Sequence, residues 1–152
     1  MVASPEPQVI IELDAIRAAS QEGCVVICCG GGGIPVRMKG EFLKGCAAVI
    51  DKDYCSALLA DKLNADTLLI LTAVEKVKIN FNTPAEQDLD LLTVSDAQRY
   101  IEEGQFAKGS MLPKVAAAVN FVKGGEGRQA VIAELNQAGE AVCGTAGTHI
   151  TQ

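Results

Sequence analysis

Three stretches carry groups that could handle a negatively charged reactant. In "VIDKD", an apolar run ends by delivering Asp51, Lys52 and Asp53 to the start of a helical pattern. In "SMLPK", another helical pattern begins at Ser110 and puts Pro113 and Lys114 into its first turn. In "CCGGGGIPV", the four consecutive glycines Gly30, Gly31, Gly32 and Gly33 follow a short apolar run. A helix N-terminus carries about half a positive charge, so a lysine in the first turn is mildly disfavoured unless an anion answers it. Glycines let a backbone approach a ligand closely, and their N–H groups can cradle phosphate. Two lysines at two helix starts, with a tetraglycine loop, would form one anion pocket. Positioned lysines are also what stabilise the charged oxygens of a phosphoryl group in transfer.

Each stretch has a plainer reading. Asp53 can cap its helix while Lys52 is solvated. Lys114 can be an ordinary surface lysine, and the glycines can be turn residues. Their spacing fits neither the GxGxxG dinucleotide fingerprint nor the GxxxxGK[ST] phosphate loop.

The elements that must position these residues follow from periodicity. "EPQVIIELDAIRAASQEG" has helical apolar spacing at Val9, Leu13 and Ile16, with Pro7 before it and Gly23 after it. "CVVICC" and "TLLILT" are continuous apolar runs of strand length, the pattern of fully buried strands. "VRMKGEFLKGCAAVI" reads as an irregular hairpin turning near Gly40 and Gly45. "DYCSALLADKLNAD" is a helix capped by Asp53, "VKINFNTP" a short edge strand ending in a turn, and "TVSDAQRYIEEG" a short helix closed by Gly104. "SMLPKVAAAVNFVKGG" is a strong helix with Val115, Val119 and Val122 along one stripe. "RQAVIA", a small helix around "ELNQAGEAV", and "GTHIT" follow it. The alternation predicts an α/β fold with a parallel-rich sheet and helices on both faces.

The 152 residues are 49% hydrophobic and 21% charged, enough for a good core in a single domain. A formal net charge of −6 argues against nucleic acid or a membrane surface as partner, since both are anionic. The longest apolar runs are strand-length, and "MVASPEPQ" has neither the basic nor the apolar region of a signal peptide, so a cytoplasmic location is the default. Six cysteines lie in apolar surroundings without CxxC spacing, and the only histidine is His149. That composition favours buried thiols over a metal site. Cys55, one turn into the helix after Asp53, is either a modifiable thiol near the site or a buried inert one.

"GGGGIPV", "AVIDKD", "ALLADKLNADTLLILT", "NFNTP" and "EGQFAKGSMLPKVAAAVNFV" together resemble the C-terminal half of carbamate kinases, within the amino acid kinase family. The resemblance runs in order from about Val2 to Ile150. It implies a three-layer αβα sandwich with a mostly parallel sheet, of which this chain is the nucleotide-binding half. It also implies reversible phosphoryl transfer between carbamoyl phosphate and ADP, giving ATP and carbamate, with Mg2+ on the nucleotide. By motif, Lys52 would act on the transferred phosphoryl group, Asp53 would organise it, and Lys114 would neutralise charge on the nucleotide side. Leu71, Thr72, Ala73 and Val74, with Ser110, Met111 and Pro113, would border the nucleotide.

The chain departs from that pattern at "LTAVEKVK", where the family reads LTDVD followed by a tyrosine. Ala73 and Lys78 therefore stand in the adenine wall in place of a carboxylate and an aromatic. Ala47, within "GCAA", stands where the usual glutamate precedes "VIDKD". Family members are about twice as long and homodimeric. The resemblance thus implies an N-terminal half, absent here, as a partner that carries the carbamoyl phosphate site. A non-catalytic nucleotide-binding module is the other reading; it would not need Lys52 and Asp53 together.

Overall fold

The computed structural model describes residues 2–152 and divides the chain into two compact units, Met1–Leu63 and Asn64–Gln152.

The first unit contains helix α1 (Leu13–Gln21), a single 3-10 turn at Gly30–Gly32, the hairpin β1 (Val36–Lys39) and β2 (Phe42–Gly45), and helix α2 (Lys52–Leu63). The hairpin expected from the sequence is present and antiparallel, with Gly40 supplying the positive φ of +62° that its tight turn requires. Helix α2 is buried at Asp53, Cys55, Ala57 and Leu59. These fall into two i, i+4 pairs on opposite sides of the helix, so it is covered along two stripes. Arg17 of α1 donates to the Lys62 carbonyl in the last turn of α2 at 2.8 Å, placing a cation where the helix dipole favours one.

"CVVICC" corrects the expectation of a buried strand. Residues 24–29 pair with no strand among the described residues, and Val25 and Ile27 are 95% and 97% exposed. A strand needs a neighbour to satisfy its amides and carbonyls, and an apolar run alone cannot supply one.

The second unit holds β3 (Thr67–Thr72), β4 (Val77–Ile79), β5 (Gln87–Leu89), β6 (Leu91–Thr93), α3 (Val94–Glu102), α4 (Met111–Lys123), β7 (Gln129–Glu134), α5 (Ala138–Val142) and β8 (Thr148–Thr151). The main sheet runs in the order β3-β7-β8-β6. Pairs β3–β7 and β6–β8 are parallel while β7–β8 is antiparallel, so the sheet is mostly parallel as expected. Strand β7 is buried continuously from Ala130 to Ala133 because both its faces are covered. Ala141 of α5 packs with Val131 and Ala133 on one face, joined by Leu69 and Leu71. By strand alternation, Ala130 and Ile132 face the other way, the side on which α4 contributes Val115, Val119 and Val122 to the core.

Strands β4 and β5 form a separate antiparallel ribbon outside the main sheet. The expected strand at "VKINFNTP" is thus present, but its neighbour β5, and β6 after it, lie in a polar stretch without strand periodicity. Helix α3 starts where Thr93 caps it: the Thr93 hydroxyl accepts the Asp96 amide at 3.1 Å and donates to the Asp96 carboxylate at 2.8 Å.

Candidate functional site: a pocket in the second unit and the Lys52 helix in the first

In the second unit a pocket of about 570 Å³ opens between two walls. One wall is the arm from Val74 through the β4 strand to Thr83; the other runs from Gly104 to Ala107 and on to Ser110 and Met111 at the start of α4. Its volume lies within the range of small-molecule and cofactor sites. The arm follows the C-terminal end of β3, where open α/β sheets place ligands.

Both lysines on the arm are already answered by the protein. Lys78 Nζ lies 2.8 Å from Glu86 Oε1 and 3.1 Å from Asp88 Oδ1, and Lys76 pairs with Asp90 at 2.5 Å. Glu86 and then Asp88 raise the Lys78 pKa, while Lys78 and then the Asn82 amide hold Glu86 below the usual carboxylate value. Lys78 therefore lines the pocket with its charge already neutralised. Phe81, 59% exposed, presents an aromatic face there. The flanking Asn80 and Asn82 adopt positive φ of 52° and 60°, a conformation asparagine tolerates better than most side chains. Gln105 spans the two walls by accepting the Asn80 amide at 2.9 Å.

Helix α4 begins at Met111 with no acidic residue in its first turn and no side-chain cap from Ser110. Lys114 is the fourth helical residue, half-buried, and follows Met111 by three positions, which sets the two on one helix face. The Leu112 amide donates to the Ala107 carbonyl at 3.0 Å and Pro113 has no N–H, so the positive charge of the first turn is carried by the Lys114 side chain.

In the first unit Lys52 opens α2 and is exposed, while Asp53 is 8% exposed. The cap itself is a correction. Asp51, not Asp53, receives the amide, its Oδ1 accepting the Asp53 N–H at 2.8 Å. Asp53 sits buried within the first turn. Of the four glycines, Gly32 has the clearest structural cause: with φ at +91°, its missing Cβ would lie 1.8 Å from the Ile50 carbonyl oxygen. That contact packs the glycine turn against the segment leading into Lys52. The Gly32 and Gly33 amides donate to the carbonyls of Cys29 and Gly30, so they are spent within the turn. Cys55 is 6% exposed, in keeping with the inert reading, and the Cys29 thiol contacts its carbonyl at 3.9 Å. Burial first, and then Cys55, push the Cys29 thiol up to about 12.

Among the residues singled out from sequence, Val74, Lys78, Ser110 and Met111 line the pocket; Leu71, Thr72, Ala73, Pro113 and Lys114 do not line it directly. Sequence reasoning missed Lys76, Asn80, Phe81, Gln105 and Phe106. The Asn-Phe-Asn run was the available signal, because two turn-prone asparagines around an aromatic hold that ring out from the strand.

Comparison with known proteins bears on both units. The chain is 56% identical over 152 residues to "Carbamate kinase-like protein YqeA" of Escherichia coli (strain K12), covering 100% of this chain and 49% of that protein. It is 51% identical over 150 residues to "Carbamate kinase 2" of Staphylococcus aureus (strain bovine RF122 / ET3-1), covering 99% and 48%. The solved structure of carbamate kinase from Giardia lamblia bound to AMP-PNP superposes with a TM-score of 0.94 at 40% identity, covering 97% of this chain and 46% of that one. The chain thus spans about half the length of the relatives it matches. The profile of the Amino acid kinase family matches residues 3–134, and the chain belongs to that family.

Proposed function

We propose that this chain supplies the nucleotide-binding half of a carbamate kinase, which moves a phosphoryl group reversibly between carbamoyl phosphate and ADP. The pocket of the second unit carries the reading: about 570 Å³, with an exposed Phe81 for a base and the start of α4, which bears Lys114, along one wall. The relatives named carbamate kinase, one of them bound to AMP-PNP, support it.

In this reading Leu71, Thr72, Ala73, Val74 and Lys78 border the adenosine together with Ser110, Met111 and Pro113. Lys114 neutralises charge on the nucleotide phosphates. Lys52 faces the phosphoryl group as it transfers, with the buried Asp53 orienting it. Gly30 and Gly31 are the members of the glycine turn left to approach phosphate oxygens. Among the described residues no three His, Cys, Asp or Glu side chains cluster to hold a metal, so Mg2+ would arrive on the nucleotide phosphates, where it neutralises charge. The rest of a full-length enzyme would supply the carbamoyl phosphate site and cover the exposed run at residues 24–29, and the complete protein would be a cytoplasmic homodimer.

Calorimetric titration with MgADP, run beside Lys114→Ala, tests the nucleotide assignment. Saturable binding is expected, weakened about 10- to 100-fold in the variant, the range for one lost charge-assisted hydrogen bond. A folded chain that does not bind, or a variant that binds equally, refutes it.

A further inference from the structure

The ribbon that forms one wall of the pocket cannot hold itself in place. Strands β4 and β5 have three residues each and, among the described residues, pair only with one another. An isolated two-stranded ribbon is marginal in water. Yet Val77 and Ile79 are 0% and 7% exposed, so something anchors them.

One hydroxyl ties both strands at a single point. Thr148, the first residue of β8, is fully buried. Its Oγ1 accepts the Val77 amide at 2.8 Å and donates to the Leu89 carbonyl at 2.5 Å. Val77 and Leu89 are register partners across the ribbon. The hydroxyl therefore relays one rung of the ribbon and ties both strands to the main sheet at the same point. Gly147 delivers it: with φ at +85°, a Cβ there would lie 2.8 Å from Ala133 Cβ and 2.8 Å from the Ile132 carbonyl oxygen, so the chain can run this close to β7 only as glycine. The next residue, His149, donates its amide to the Asp90 carbonyl at 2.9 Å and holds the corner between β5 and β6. At the other end of β4, Gln105 grips the Asn80 amide.

We propose that Thr148 is a positioning residue for the nucleotide pocket. Its hydroxyl fixes the ribbon that carries Val74, Lys78 and Phe81, and Gln105 fixes the same wall at its mouth. The inference rests on the nucleotide reading of the pocket. Threonine suits the position because one hydroxyl both accepts and donates; valine has the same shape and does neither. Without it the Val77 amide and Leu89 carbonyl lose their buried partner, and only the fraction of molecules with the ribbon in place remains competent to bind.

The test compares Thr148→Val with Thr148→Ser by MgADP titration well below Tm, and by amide hydrogen exchange. Thr148→Val is expected to weaken MgADP binding roughly tenfold, the size of one unmade buried hydrogen bond, and to speed exchange at Val77–Ile79 while β7 stays protected. Thr148→Ser, which keeps the hydroxyl, restores both. A purely structural threonine would lower Tm without moving the affinity of the folded protein. Equal affinity in a folded Thr148→Val protein overturns the proposal. If the wild-type chain does not bind MgADP, the nucleotide reading fails on its own, and exchange at Val77–Ile79 decides the clamp: faster in Thr148→Val supports it, unchanged overturns it. If Thr148→Val does not fold, Gln105→Ala takes its place, with exchange at Asn80 as the readout. Faster exchange there supports the two-point clamp, and an unchanged rate overturns it.

Discussion

Replacing Gly32 by alanine tests whether the glycine turn has a structural duty toward Lys52. The added Cβ would sit 1.8 Å from the Ile50 carbonyl oxygen and 2.7 Å from its carbon, both backbone atoms that cannot rotate away. Real Cβ contacts do not fall under 3.0 Å, so the two segments must part by more than an ångström. The residue would also hold φ near +91°, which costs a non-glycine residue about 1–2 kcal/mol. Overpacking against a fixed neighbour adds about 1–3 kcal/mol, for a total near 2–5 kcal/mol. Gly31→Ala is the matched control, because its φ is +63° but its Cβ would meet open space. It should lose only the about 1–2 kcal/mol of backbone strain. With a urea slope of about 2 kcal/mol/M, the Gly32 variant should unfold about 0.5–1.5 M earlier than the Gly31 variant by far-UV circular dichroism. Ile50 lies two residues before Lys52, so the Asp53 amide, bonded to Asp51, should shift its NMR signal in the first variant only. Equal midpoints for the two variants, with an unmoved Asp53 amide, would refute the reasoning.

Asp51→Ala removes the carboxylate that accepts the Asp53 amide and should cost about 0.5–2 kcal/mol by urea titration, whereas the sequence alone would have directed that experiment to Asp53. Ile132→Ala, at a fully buried site in β7, should cost about 2–5 kcal/mol, while Ile27→Ala should change stability by less than about 0.5 kcal/mol because Ile27 is 97% exposed. Asp96 is held below its ordinary pKa, first by the Thr93 hydroxyl and then by Arg99, as Glu86 is by Lys78 and the Asn82 amide. A depressed native pKa contributes stability that is complete above the unfolded-state value and is lost as pH falls through the native one, so Tm should decline below about pH 4.5. Asp96→Asn should flatten that decline in thermal scans.

The second unit was largely legible in the sequence because its signals are local and its partners are close. "TLLILT" reads as a buried strand, and it pairs in parallel with β7. "SMLPKVAAAVNFVKGG" reads as a helix and buries the stripe its spacing specifies. Strands β5 and β6 were not legible: at three residues each they are too short to show a period, and their place depends on Thr148 and His149, some 59 residues later in the chain. Such contacts leave no trace in a sliding window. The cap at α2 was misassigned for a related reason. Asp51 and Asp53 are both good capping residues two positions apart, and only the helix start at Lys52 decides between them.

The misread run at residues 24–29 isolates a different limit. Periodicity reports which conformation a segment would take if neighbours were present, while exposure reports whether they are. Burying Val25 and Ile27 would each contribute about 1.5–3 kcal/mol, and burial of that size goes unrealised here. In the second unit "TLLILT" finds β7 beside it, and β7 in turn lies between β3 and β8 with its faces covered, and there the sequence rule succeeds. The rule therefore holds as a statement about preference in both units, and the difference lies in what each run has to pack against. For the chemistry this matters directly: the glycine turn begins where that run ends, and Gly32 sets the Ile50 carbonyl and hence the start of the Lys52 helix. Whatever orders residues 24–29 also orders the approach to Lys52. Cover over that run should therefore tighten the Lys52 end of the first unit, whereas the proposed Thr148 clamp would order the pocket wall from within the second.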